Sequence, residues 1–211
     1  MEKNTGRIGV DEAGKGDYFG YLVTAAVFVT SETEEKLKSL GVRDSKTISD
    51  PRIKELARTI MKICPYEIVK ISPEKYNMLY KKFSSLNKML AWSHQKAIQL
   101  LARKTMAKKA ISDKFSDEKI EVEGVDIEQR INGESDIAVA AASILARDEF
   151  LKTLRQLGYT IGMVLPKGAT HVEESAKKIL EEHGEEGLKF VAKIHFKTTK
   201  KVLGKKVGKK K

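Results

Sequence analysis

Residues 7–30 read RIGVDEAGKGDYFGYLVTAAVFVT, and the order of residue types in this stretch decides the fold. Ile8 and Val10 are β-formers, and Leu22 to Val29 is a nearly continuous run of apolar, partly β-branched residues, so the segment reads as strand, turn, strand. Gly14, Gly16 and Gly20 fill the turn, where the lack of side chains lets backbone amides approach a ligand or adopt positive φ. Asp11 and Glu12 stand at the end of the first run. Successive strand side chains point to opposite faces, and two carboxylates beside apolar runs are costly to desolvate. A divalent cation offsets that cost, because Mg²⁺ takes oxygen ligands, commonly one or two carboxylates with waters and phosphate oxygens. Without such context an Asp-Glu pair is a solvated strand end. A G-x-G-x-x-G nucleotide loop starting at Gly14 is excluded, since its last glycine would fall on Phe19.

Outward from this stretch, 211 residues suffice to bury a sizeable core as one domain. No run of about 18 apolar residues occurs, and MEKNTGRIGV lacks the apolar centre of a signal peptide, so the expectation is a cytoplasmic protein with no membrane contact. Cys64 is the only cysteine, which excludes an intramolecular disulfide and cysteine-based zinc sites. The four histidines, at 94, 171, 183 and 195, show no zinc-site spacing. The net charge of +11 is concentrated: Lys197 to Lys211 holds eight lysines and no acid, leaving +3 for the rest. That lysine-rich tail, set apart from residues 1–196, either neutralises phosphates without reading sequence or is a solvated end.

Along the chain, Glu32 to Leu40 reads as a short helix capped by Ser31, with Gly41 past its end. Asp44, Ser45 and Lys46 form a polar turn, and Asp50-Pro51 opens a helix that Cys64-Pro65 ends. Tyr66 to Ile71 reads as a strand, and Ser72-Pro73-Glu74 starts a short helix. From Asn87 to about Ala107 an apolar stripe at helical spacing includes Leu90, His94, Ile98 and Leu101, with Trp92 and His94 taken as packing residues. Ala110, Ile111 and Ser112 lead into Asp113 as Ile8, Gly9 and Val10 lead into Asp11. Ile120 to Ile131 alternates as one or two edge strands. Asp136 is placed to cap a helix whose small residues, Ala138 and Ala140 to Ser143, permit close packing on a sheet. The expectation is an α/β domain with a central mixed sheet flanked by helices and a helical C-terminal region.

DEAGKGDYFG followed by YLVTAAVFV resembles the opening signature of the type 2 ribonucleases H. Asp17, Tyr18, Phe19 and Gly20 match the ribonuclease HIII pattern D-E-V-G-T-G-D-Y-F-G-P, whereas Ala13 and Lys15 lean toward the D-E-A-G-R-G of ribonuclease HII, and Tyr21 replaces the usual proline. Asp44-Ser45-Lys46, Asp113 with Phe115, the run AVAAASILAR, LPKGA and AKIHF are similar to further HIII stretches, so the resemblance runs from Arg7 to about Lys200. It implies a ribonuclease H-like fold and a metal-dependent endonuclease that cuts the RNA strand of RNA/DNA hybrids, leaving 5′-phosphate and 3′-hydroxyl ends. Two Mg²⁺ or Mn²⁺ ions would be held by Asp11, Glu12, Asp113 and Glu134, with Asp136 the alternative fourth acid because Glu134 lies one residue nearer to Ser143 than in the family. Gly14, Lys15 and Gly16, with Ser45, Lys46 and Ser143, would bind the substrate, whereas Lys167, His171 and His195 read as structural or peripheral. No obligate protein partner is implied. Ribonuclease HIII commonly carries an N-terminal domain similar to the TATA-binding protein; only six residues precede Arg7, so either the tail partly substitutes for it or the sequence is truncated. The other class kept open is a non-catalytic basic RNA- or hybrid-binding protein whose carboxylates are structural and whose lysines carry the affinity.

Overall fold

The computed structural model describes residues 6–43 and 45–204; Asp44 of the D-S-K triplet and the lysines at 205, 206, 209, 210 and 211 lie outside the described residues. β1 (Arg7–Ala13) and β2 (Leu22–Val29) pair antiparallel, with Val10 opposite Ala26. β4 (Lys109–Asp113) lies parallel to β1 with Val10 beside Ser112, and β5 (Asp126–Arg130) lies parallel to β4. With β3 (Tyr66–Ile71) outside β2, the sheet order is β3-β2-β1-β4-β5, mixed as expected. Of the alternating stretch from Ile120 to Ile131, only β5 is a strand, preceded by a turn bridged between Val122 and Val125.

Seven helices complete the described chain: α1 (Ser31–Ser39), α2 (Asp50–Ile63), α3 (Pro73–Phe83), α4 (Leu86–Thr105), α5 (Ile137–Ile161), α6 (Glu173–Val191) and α7 (Lys197–Val202). None is long and apolar enough to cross a membrane. The two-residue period of β1 sorts the layers. Ile8 and Val10 join Ala26 and Phe28 in a core with Ala97, Ile98 and Leu101 of α4. Gly9 points the other way, toward α5. A Cβ there would lie 2.0 Å from the carbonyl carbon of Ala138, so glycine on the strand and alanines on the helix are one solution to a close approach.

The chain divides into two compact units. Among the described residues, the first holds 6–13, Val23–Lys70 and Phe83–Glu149, with nearly all of the sheet, α1, α2, α4 and the first half of α5. The second holds Gly14–Leu22, Ile71–Lys82 and the described residues from 150 to 204.

The cap of α1 differs from expectation. Thr30, not Ser31, is the N-cap: its hydroxyl accepts the Thr33 amide at 3.3 Å while the Thr33 hydroxyl accepts the Thr30 amide at 2.8 Å. A threonine three residues on closes that reciprocal box, whereas Glu34, three residues after Ser31, is held by Arg7 at 2.8 Å. Residues 197–202, grouped by composition with the lysine tail, form α7, in which Thr198 and Thr199 are buried; Lys201 pairs with Glu173 at 2.6 Å.

Candidate active site

β1 and β4 end side by side. Because Val10 pairs with Ser112 in parallel register, Asp11 and Asp113 follow as neighbours on adjacent strands, roughly 4.8 Å apart in backbone. Their side chains leave the sheet on its α5 face, where Ser143 donates its hydroxyl to Asp11. Burial pushes the Asp11 pKa well above the usual carboxylate range, and the charges of Glu12 and Asp113 add to the rise, while the Glu12 amide, at 2.8 Å from Oδ1, and the Ser143 hydroxyl pull it back. Like charge is concentrated at the ends of these two strands.

Glu12, one residue on, points to the α4 face. Its carboxylate lies 2.8 Å from Nε2 of His94, and Nδ1 of the same ring lies 3.0 Å from the Ser112 hydroxyl, which also reaches the Asp113 carbonyl at 3.1 Å. A carboxylate only accepts, so Nε2 carries a proton. His94 is wholly buried and joins β1 to β4 from α4. The sequence hid this residue, because its place in an apolar helical stripe is also that of a packing residue.

Asp113 accepts the Gly133 amide at 2.9 Å. Gly133 sits so close that a Cβ on it would lie 2.7 Å from the Asp113 Cα, and left-handed Asn132 turns the chain into this contact. The next residue after the bound amide is Glu134, half-buried in a single 3-10 turn, Gly133–Ser135. Asp136 is otherwise engaged: Oδ1 caps α5 by accepting the Ala138 amide at 2.8 Å, and Oδ2 accepts Arg7 Nε at 2.8 Å while Arg7 also holds Glu34 at 2.8 Å. Among the described residues, no group of three or more His, Cys, Asp or Glu side chains stands preassembled as a metal cage.

Ser45 and Ser143 come together, both buried at 5 % exposure with their hydroxyls 2.6 Å apart. Arg147, which the sequence reading did not single out, anchors this pair by donating to the Ser45 carbonyl and to Asp50 at 2.7 Å. Lys46 is exposed. In the second unit, Gly14 has φ +86° and its missing Cβ would strike the Tyr21 carbonyl oxygen at 2.1 Å, so no other residue fits. Gly16 is exposed, with open space where a Cβ would project, and Lys15 is half-buried. Lys193 is fully buried and donates to the carbonyls of Asp17 and Gly20 at 2.9 and 2.7 Å.

A family model described as Ribonuclease HII matches residues 8–199. Ribonuclease HIII of Protochlamydia amoebophila (strain UWE25) is 46 % identical over 213 residues, covering 97 % of this chain and 70 % of the relative. Ribonuclease HIII of Chlamydia muridarum (strain MoPn / Nigg) is 46 % identical over 209 residues, covering 94 % and 69 %. Among solved structures, Bst-RNase HIII in complex with Mn²⁺ superposes with a TM-score of 0.87 at 35 % identity, covering 94 % of this chain and 69 % of that one. RNase HII from the PCNA complex of Archaeoglobus fulgidus gives 0.79 at 28 % identity, covering 95 % and 98 %. A sheet of this order, carboxylates at adjacent strand ends and these likenesses lead to one assignment: the chain belongs to the type 2 ribonuclease H family, that of ribonucleases HII and HIII, and is a ribonuclease H enzyme.

Proposed function

We propose that this protein hydrolyses the RNA strand of RNA/DNA hybrids with two Mg²⁺ or Mn²⁺ ions, leaving 5′-phosphate and 3′-hydroxyl ends. The observation that carries the reading is the parallel register that makes Asp11 and Asp113 neighbours, with Glu12 beside one and the Glu134 turn docked on the other. An all-oxygen, anionic donor set suits a hard divalent cation, and such a cation would offset the burial and the Glu12 and Asp113 charges that raise the pKa of Asp11. That a similar ribonuclease HIII structure is in complex with Mn²⁺ supports the choice of ion. Glu134 is preferred to Asp136 as fourth acid because the Asp136 carboxylate is taken up by Arg7 and the α5 cap.

Asp11, Glu12, Asp113 and Glu134 would hold the ions. When bound, divalent ions supply a Lewis acid and an activated water for in-line phosphodiester hydrolysis. The chain's own residues do the rest. His94 fixes the Glu12 rotamer through Nε2. The Ser45–Ser143 pair, braced by Arg147, fixes the Asp11 carboxylate. Lys46, at the exposed end of that turn, would meet a backbone phosphate, and Gly14, Lys15 and Gly16 would meet the ribose, whose 2′-hydroxyl distinguishes RNA from DNA.

Incubating the purified chain with an end-labelled hybrid and either Mg²⁺ or Mn²⁺ tests the reading, the expected products being 5′-phosphorylated RNA fragments. An intact hybrid under both ions overturns it. Substrates holding one ribonucleotide or a run of four then show which the enzyme requires.

A further inference from the structure

Lys193 has no part in the chemistry above, yet it occupies the costliest position in the second unit. Its side chain is fully buried, and its ammonium donates to the carbonyls of Gly20 at 2.7 Å and Asp17 at 2.9 Å, with that of Phe19 at 3.5 Å. Three carbonyl oxygens around one nitrogen form a cage that a neutral or apolar head does not satisfy, since carbonyls only accept. The face of Tyr76 lies 5.6 Å from the same nitrogen. Burial draws the Lys193 pKa down to about 7, against the upward pull of the Asp17 charge. A buried ammonium is a poor source of stability, because desolvation consumes most of what its contacts return. What it secures is a single arrangement of the backbone that surrounds it.

That backbone is the glycine-rich turn. Around the cage, Lys193 donates its own amide to the Tyr18 carbonyl at 2.9 Å, Gly20 donates to Val191 at 2.9 Å, and Tyr18 donates to Gly168 at 2.8 Å. Phe19 pairs with Ala192 as an isolated antiparallel bridge. On the far side Asn77 clamps the lysine's neighbours, donating to the Ala192 carbonyl at 2.9 Å and accepting the Ile194 amide at 3.0 Å. Lys193 is thus held on both flanks and aimed at the loop. The loop's other end, Gly14 to Gly16, closes on this frame through the Asp17 amide, which donates to the Gly14 carbonyl at 3.3 Å, and a Cβ on Gly16 would project into open space. The ammonium on the Asp17 carbonyl, together with the Gly168 amide donating to Asp17 Oδ1 at 2.6 Å, therefore fixes the residue on which Gly14–Gly16 turns.

We propose that Lys193 is a positioning residue for substrate discrimination: by caging the carbonyls of Asp17, Phe19 and Gly20 it holds Gly14–Gly16 in the shape that tells ribose from deoxyribose. This rests on the hybrid-nuclease reading above. Hybrid recognition through backbone groups needs that backbone fixed, and a loop free to relax accepts a DNA strand as readily as an RNA strand.

The test uses the full chain in the Asp113→Asn background, so that nothing is cut, and measures Kd for an RNA/DNA hybrid and for a DNA duplex of the same sequence. Lys193→Met and Lys193→Gln are expected to lower the hybrid-over-duplex preference about tenfold, the scale of one lost charge-assisted contact, with duplex affinity nearly unchanged. Lys193→Arg keeps the charge but not the seating of three donors, and falls part of the way. It serves alone if the neutral variants do not fold. A merely structural lysine would lower the melting temperature and move both affinities together, so an unchanged preference in a folded variant overturns the proposal. If the protein with Lys193 intact shows no preference for the hybrid, the nuclease reading itself fails, and the two failures are told apart.

Discussion

The two halves of the opening stretch are held in opposite ways. At the strand ends, Asp11, Glu12 and Asp113 gather like charge, and burial, then the Glu12 and Asp113 charges, raises the pKa of Asp11. In the glycine loop the carbonyls of Asp17, Tyr18 and Gly20 each meet a donor from residue 193. The strand ends gather like charge that a bound cation would balance. The loop is balanced from within, so its shape exists before any ligand arrives. Where a fold leaves its own electrostatics unfinished, a counter-ion is expected; where it finishes them at the cost of burying a lysine, shape is what is being kept.

The strongest way to break this contrast is Asp113→Asn. Single-turnover cleavage of a labelled hybrid should fall about 10³-fold while hybrid affinity stays within about threefold, as expected of a carboxylate that would act in the transition state rather than in binding. Persistent cleavage would end the case for the strand-end acids. Next, two glycines sharpen it. Gly9→Ala drives a methyl into the α5 backbone and should cost roughly 3 kcal/mol or more in urea melts. Gly16→Ala meets open space and should cost less than about 1 kcal/mol while weakening hybrid binding. A third experiment addresses the charge imbalance: Mn²⁺ should raise the melting temperature of the parent, whereas Asp11→Asn should raise it by about 2–4 °C without metal, as relief of roughly 1 kcal/mol does in a chain of this size, and should blunt the Mn²⁺ increment.

The smallest effect tests the other half. His195 stacks on Tyr80 at 4.3 Å, and burial, then the Lys193 charge, lower its pKa to about 4 from 6.5. The unfolded chain therefore binds the extra proton first, so His195 contributes stability above about 6.5 that is lost as pH falls toward about 4. Melts of His195→Phe between those limits should show a shallower acid slope than the parent. An identical slope would mean that the stack bears no such strain.

The sheet and the strand-end acids were legible because β-formers running into carboxylates are a local pattern, and the two such runs, before Asp11 and before Asp113, proved to be parallel neighbours. The same holds for β3, whose bounds follow directly from Tyr66 and Ile71. Less legible was anything whose meaning depends on a remote partner. His94 fits an apolar helical stripe equally well whether it packs or binds Glu12, 82 residues away. Lys193 sits between Ala192 and Ile194 in an apolar run, and its partner Gly20 is 173 residues distant. Asp136 was read as a cap and is one, but its commitment to Arg7, 129 residues earlier, is tertiary information. Periodicity reports which face a residue takes, not what it meets there.

The pairing of residues 17–20 with 191–193 has a consequence for how the protein acquires its shape. Closing a ring of that sequence separation is among the most entropically demanding steps available to this chain, and such contacts form late. Refolding should therefore give the β1–β2 hairpin early protection from solvent exchange and the amides of Tyr18 and Gly20 late protection, so that the shape of the glycine loop is the last to mature.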